Sequence, residues 1–97
     1  MADKIRILVA DDEPTARMLM AAALKKAGYE VGLAEDGAEA LRKHEAEPYD
    51  LVMLDVEMPR MSGYETCIAL RRSVGPDLPI VIVTAMDDTE SVERAYE

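Results

Sequence analysis

Short runs of apolar residues alternate along this chain with longer stretches that mix charged residues with alanine, leucine and methionine. Uninterrupted apolar runs are typical of strands buried on both faces of a parallel sheet, whereas the mixed stretches have the composition of helices. The runs predict four strands, at about residues 5–10, 29–34, 49–54 and 78–84. The mixed stretches predict helices at about residues 15–27, 36–46 and 64–73, and a fourth that begins near residue 89 and continues to residue 97.

The regular alternation of strand and helix predicts an open, doubly wound α/β fold with a parallel sheet, in a single domain over residues 1–97. A closed barrel would need about eight strand–helix units, twice as many as the pattern supplies. The second strand contains Glu30 and Gly32, residue types that favour the edge of a sheet over its centre. His44 lies among charged residues of the second helix, and we expect it to be exposed to solvent.

Composition narrows the classes of partner and compartment. The formal net charge of −9 disfavours direct binding to nucleic acid or to an anionic membrane. The single cysteine, Cys67, excludes an internal disulfide and is consistent with a reducing compartment. The first residues lack the apolar core of a signal peptide, and no apolar run approaches the length of a membrane span. We therefore expect a soluble, cytoplasmic protein.

Three predicted strands end in acidic or hydroxyl residues: Asp11 and Asp12 follow the first, Asp55 follows the third and Thr84 ends the fourth. The carboxyl ends of parallel strands lie on one rim of the sheet, so these side chains should converge. Carboxylates about 4 Å apart repel by roughly 4 kcal/mol per pair at an effective dielectric constant near 20. A pocket of three acids therefore either takes up protons or holds a hard cation, and oxygen ligands with open positions suit Mg²⁺.

With a cation in that pocket, Asp55 could act as a nucleophile on phosphorus, and Thr84 could donate a hydrogen bond to the phosphoryl oxygens. Considered alone, Asp11 and Asp12 could equally be an ordinary helix N-cap, because acids favour the starts of helices.

The motifs at these strand ends resemble those of the receiver domain of bacterial two-component response regulators. They read ILVADDE at residues 7–13, DVEMPRMSG at residues 55–63 and VTA at residues 83–85, and the resemblance covers the whole chain. It implies a flavodoxin-like receiver fold with strand order 2-1-3-4. It also implies a phosphorylation-dependent signalling module, without turnover as an enzyme, that takes a phosphoryl group from a sensor histidine kinase or a histidine phosphotransfer protein.

The resemblance assigns roles to individual residues. Asp55 would be the phosphoacceptor, and Asp12 would ligate Mg²⁺ directly while Asp11 would do so through water. Asp55 itself and the backbone carbonyl of Glu57 would complete the protein ligands. The Glu57 side chain is also free to reach the pocket.

The same resemblance makes Thr84 the switch hydroxyl and adds the Ala85 backbone N–H as a donor to the phosphoryl oxygens. Receiver domains continue with a fifth strand that ends in Lys-Pro and a fifth helix, and the sequence has no counterpart of either. We therefore expect a truncated receiver without the lysine that pairs with the phosphoryl group, cut from a longer parent that carries a C-terminal output domain. We also expect the fourth strand to be an exposed edge through which the chain self-associates.

Two other classes of function remain open at this point. The domain could be a constitutive, unphosphorylated interaction module, and the missing lysine favours this hypothesis. Alternatively, Asp55 and Glu57 could be the nucleophile and acid of an aspartate-based phosphatase, although such enzymes place this motif on the first strand and use a second aspartate.

Overall fold

The computed structural model describes residues 4–83, in which four strands and three helices alternate. The elements are β1 (Arg6–Ala10), α1 (Pro14–Lys26), β2 (Glu30–Ala34), α2 (Gly37–Ala46), β3 (Leu51–Asp55), α3 (Gly63–Val74) and β4 (Ile80–Val83). Every element predicted within these residues is present, with ends that differ from the prediction by about two residues at most. The predicted fourth helix lies outside the described residues, as do Thr84 and Ala85.

The strands form one sheet in the order β2-β1-β3-β4, and each neighbouring pair is parallel. This arrangement confirms the predicted doubly wound fold and its strand order. Leu8 on β1, together with Val52 and Leu54 on β3, is fully buried, so the core lies on the two central strands. The register pairs Ala10 with Leu54, which brings the carboxyl ends of β1 and β3 side by side.

Side-chain caps fix where the second and third helices start. The Asp36 carboxylate accepts the Glu39 backbone N–H at 2.8 Å at the start of α2. At the start of α3, Ser62 and Glu65 form a capping box in which each side chain accepts the other's backbone N–H. Both caps lie at the same rim as the carboxyl ends of the strands, so they also fix the loops that border that rim.

The prediction that His44 is solvated is wrong, because only 4% of this residue is exposed. It lies one helical turn after Ala40 on the face of α2 that packs on the sheet, and its Nδ1 accepts the Tyr49 backbone N–H at 3.1 Å. The Tyr49 ring stacks on His44, and a Cβ at Gly32 would lie 2.1 Å from the tyrosine hydroxyl. Gly32 therefore leaves room for the Tyr49 ring against β2, which is an edge strand of the described sheet.

None of the helices described between residues 4 and 83 is long and apolar enough to cross a membrane.

Candidate metal centre

Three carboxylates converge at the rim where β1 and β3 end. Asp55 is the last residue of β3, and Asp11 and Asp12 follow β1 directly. One oxygen of each carboxylate lies within 4.8 Å of the others, so all three could contact a single ion. The structure therefore brings together the three acids that the sequence places at strand ends.

Backbone contacts hold Asp11 in place. Its N–H donates to the carbonyl of Ala34 at 3.1 Å, which ties the end of β1 to the end of β2. Its own carbonyl accepts a hydrogen bond from the Arg17 guanidinium at 2.7 Å, so this cation is engaged with the backbone. One Asp11 carboxylate oxygen accepts the Glu13 N–H at 2.9 Å. The position of the Asp11 carboxylate is thus set by the turn between β1 and α1.

The N-cap of α1 is Glu13, and neither Asp11 nor Asp12 occupies that position. The Glu13 side chain accepts the Ala16 N–H at 2.8 Å, and Pro14 occupies the first turn, where a missing N–H costs nothing. The ordinary N-cap hypothesis for Asp11 and Asp12 is therefore wrong. Sequence reasoning missed Glu13, although its position directly before Pro14 is typical of an N-cap.

The convergence of the three carboxylates changes the pKa of Asp55. Burial, followed by the negative charge of Asp11 and then more weakly that of Asp12, raises the pKa of Asp55 from its ordinary value of 3.8 to about 6. A hydrogen bond from the Glu57 backbone N–H opposes this rise in pKa. Among the described residues, no cationic side chain contributes to lowering the pKa of Asp55. The pocket therefore has excess negative charge, which a bound cation would neutralise.

The loop from residue 56 to residue 63 holds the chain close to the Asp55 backbone. The Gly63 N–H donates to the Val56 carbonyl at 2.9 Å and closes the loop into a ring. A Cβ at Gly63 would lie 2.3 Å from the Asp55 carbonyl oxygen, so only glycine fits without movement of the backbone. Met58 is 9% exposed and anchors the loop in the core, whereas Glu57 is exposed at the mouth of the cleft.

The cleft combines an acidic floor with an apolar wall. Glu13 and Glu57 line it beside the three converging aspartates, and Ala16, Met20 and Val83 provide the apolar side. Sequence reasoning gave Met20 and Val83 no role in the cleft, which they line because α1 packs against β1 and β4 pairs with β3. Asp12 is exposed, so water has access to complete the coordination of an ion.

The donor set fits Mg²⁺ rather than a softer metal. The cluster offers carboxylate oxygens and contains no histidine or cysteine among the described residues. Hard divalent cations take oxygen ligands and retain water at open positions. Burial and the negative charges of Asp11 and Asp12 raise the pKa of Asp55, and a bound cation would offset both effects. The predicted roles of Thr84 and Ala85 lie outside the described residues and stay predictions.

Comparison with known proteins places these features in a family. The profile described as the response regulator receiver domain matches residues 7–97. The response regulator MprA of Mycolicibacterium vanbaalenii is 48% identical over 83 residues, which are 86% of this chain and 36% of that protein. The chain thus spans about a third of the length of the curated relatives it matches.

Solved structures of response regulators and chemotaxis proteins superpose on the fold of this chain. The response regulator TrrA of Thermotoga maritima, solved in complex with Mg²⁺ and BeF, superposes with a TM-score of 0.83 at 45% identity. The match covers 90% of this chain and 75% of that one. The chemotaxis protein CheY4 of Vibrio cholerae superposes with a TM-score of 0.86 at 34% identity, over 97% of this chain and 79% of that one.

Proposed function

We propose that this chain, which belongs to the response regulator receiver domain family of two-component systems, accepts a phosphoryl group on Asp55 in a Mg²⁺-dependent reaction. The observation that carries the proposal is the convergence of Asp11, Asp12 and Asp55 within 4.8 Å, together with the raised pKa of Asp55. The matched family favours neither the constitutive interaction module nor the aspartate-based phosphatase.

In the proposed reaction an Asp55 carboxylate oxygen attacks phosphorus. A bond forms between that oxygen and phosphorus, and the bond from phosphorus to the donor's histidine nitrogen breaks, with the electron pair leaving on the imidazole. With a pKa of about 6, Asp55 is mostly ionised near neutral pH, as a nucleophile must be. The partly buried position of Asp55 keeps the carboxylate from full solvation, which favours attack.

Asp11, Asp12, Asp55 and the backbone carbonyl of Glu57 would hold the Mg²⁺ ion. When bound, the ion would supply positive charge that neutralises the carboxylates and polarises the phosphoryl oxygens. Glu57 lines the cleft beside the three aspartates, a position that supports the proposed ligation by its carbonyl. Thr84 and Ala85 would donate hydrogen bonds to the phosphoryl oxygens.

The partners follow from the same proposal. A sensor histidine kinase or a histidine phosphotransfer protein would supply the phosphoryl group. A C-terminal output domain in a longer parent would use the phosphorylated state, which fits the length of the relatives. We propose that the domain acts in the cytoplasm and does not turn over a substrate as an enzyme.

We further propose that the 97-residue chain associates with a second copy through β4. Within the described residues, β4 pairs with β3 on one side and has no strand on the other. Its sequence, Ile80–Val83, contains no charged residue to discourage pairing with another strand.

Phosphorylation is tested with acetyl phosphate as a small-molecule donor. Incubation with Mg²⁺ should add one phosphoryl group to the chain, detected by intact mass, and chelation of the metal should abolish it. Asp55→Asn should remain unmodified, and Asp12→Asn should be modified much more slowly. The same adduct on Asp55→Asn would refute the assignment of the acceptor.

A further inference from the structure

Arg60 has an unusual backbone conformation in the loop that follows Asp55. Its φ of 68° makes it the only residue other than glycine with positive φ among those described. The Met61 N–H donates to the Pro59 carbonyl at 2.7 Å, which closes a tight three-residue turn around Arg60. Residues with a Cβ seldom adopt this conformation unless their surroundings maintain it. Some contact of Arg60 must therefore maintain the turn.

One contact of Arg60 is an ion pair with the start of α2. The Arg60 guanidinium lies 2.7 Å from one carboxylate oxygen of Asp36, and the other oxygen accepts the Glu39 N–H. The Asp36 side chain is 20% exposed and is held by the helix, whereas Arg60 is 73% exposed. Asp36 is therefore the fixed partner, and the ion pair restrains Arg60.

A second contact lies directly beside the ion pair. A Cβ at Gly37 would lie 3.1 Å from the Met61 sulfur and 2.1 Å from the Thr66 hydroxyl, so Met61 packs closely on the first residue of α2. Two successive residues of the loop, Arg60 and Met61, thus contact two successive residues of α2, Asp36 and Gly37. The far side of the loop is joined to the start of α2.

The near side of the same loop carries Glu57, whose backbone N–H reaches the Asp55 carboxyl. The ring closed by Gly63 and Val56 contains both sides, and the short link through Met58 and Pro59 has little freedom, because Met58 is buried and proline fixes φ. We propose that the Arg60–Asp36 ion pair is a positioning contact for the metal centre and sets where the Glu57 backbone lies relative to Asp55. This inference rests on the proposed function for its metal-binding readout.

The test compares variants of the whole 97-residue chain by Mg²⁺ calorimetry. Arg60→Gln should weaken Mg²⁺ binding roughly two- to fivefold, the range expected for loss of an exposed ion pair. Asp36→Asn keeps a good N-cap and should weaken binding by a similar factor. The double variant should bind no more weakly than either single variant, and Arg60→Lys should recover part of the loss.

The direction of the change in Mg²⁺ affinity distinguishes a positioning role of Arg60 from an effect of its charge alone. Removing a positive side chain from an acidic domain should tighten cation binding if only long-range attraction matters. Arg72→Gln, on the exposed surface of α3, makes the same change in net charge and is the matched control. Equal or tighter Mg²⁺ binding by Arg60→Gln, or independent effects of the two single variants, would overturn the proposal.

A second readout does not depend on the metal. Amide hydrogen exchange at Glu57 in Mg²⁺-free buffer should become faster in Arg60→Gln and remain unchanged in Arg72→Gln. If the unmodified chain binds no Mg²⁺, the Mg²⁺-dependent function proposed above is wrong. The exchange rate at Glu57 then tests by itself whether Arg60 positions the Glu57 backbone. Unchanged exchange at Glu57 in Arg60→Gln would overturn it.

The Arg60→Gly variant distinguishes a local effect on Mg²⁺ binding from a general loss of folded structure. Glycine adopts positive φ without strain, so this variant should melt no earlier than the unmodified chain while losing the ion pair. Weaker Mg²⁺ binding with an undiminished melting temperature supports positioning. Undiminished Mg²⁺ binding in Arg60→Gly counts against it.

Discussion

Replacing Asp55 with asparagine should stabilise the metal-free protein near neutral pH. The substitution preserves size and removes the charge that burial and Asp11 disfavour. A pKa of about 6 against an ordinary 3.8 corresponds to about 3 kcal/mol, at 1.36 kcal/mol per pKa unit. Asp55 is partly exposed, and solvent screening reduces the expected gain in the free energy of unfolding to about 1–2 kcal/mol.

The pH dependence of this gain has a definite sign. The folded state raises the pKa of Asp55, so it binds the proton more tightly than the unfolded chain does. The penalty on the folded state is therefore absent well below pH 3.8, grows as the pH rises and is complete above about pH 6. At about pH 4.5 the advantage of Asp55→Asn should fall to about a third of its value at about pH 7.5.

Urea unfolding with a chelator present measures this difference at both pH values. Asp77→Asn makes the same chemical change at an exposed turn and should alter the free energy of unfolding by less than about 0.5 kcal/mol. Saturating Mg²⁺ should stabilise the unmodified chain and reduce the advantage of the variant. An Asp55→Asn variant no more stable than the unmodified chain at about pH 7.5, or an advantage independent of pH, would refute the reasoning.

Four further outcomes are expected. Asp12→Asn should give much smaller heats of Mg²⁺ binding in calorimetry, and equal heats would remove Asp12 from the ligand set. Gly63→Ala should lower the free energy of unfolding by about 1–3 kcal/mol, measured in urea, because its Cβ would overlap the backbone at Asp55; an unchanged midpoint would contradict this. Burial lowers the pKa of His44, so the stability advantage over His44→Leu should be complete above pH 6.5 and fall as the pH drops below it; thermal melts that show a constant difference would disprove this. Light scattering over a concentration series should show species larger than the 10.7 kDa monomer, and a monomer throughout would exclude pairing through β4.

The sequence predicts most strongly those features that depend on local pattern. The apolar run before Asp55 predicts a central strand that ends in an acid, and the position of Asp11 after β1 predicts the convergence on one rim. Features that depend on contacts between distant segments were not predictable in this way. His44 is buried because its face of α2 packs on the sheet, and Arg60 pairs with an acid that lies 24 positions earlier in the chain.

The choice of N-cap for α1 illustrates the difference. Any of three consecutive acids before Pro14 could cap the helix by composition alone. In the folded chain the Asp11 N–H is bonded to Ala34 at the end of β2, and the Glu13 carboxylate is the one that accepts the Ala16 N–H. Because Glu13 caps the helix, the carboxylates of Asp11 and Asp12 can converge with Asp55 at the metal centre.

The ring closed by the hydrogen bond between Gly63 and Val56 restricts where the chain can be lengthened. An added residue anywhere between them would have to open the ring or lift α3 from the backbone of Asp55, so this segment should not accept insertions. The turn at Gly28, on the opposite rim of the sheet, is bordered by open space, since a Cβ there would meet no atom within 4 Å. A fluorophore or affinity peptide inserted at Gly28 should therefore leave metal binding and phosphorylation as they are in the unmodified chain.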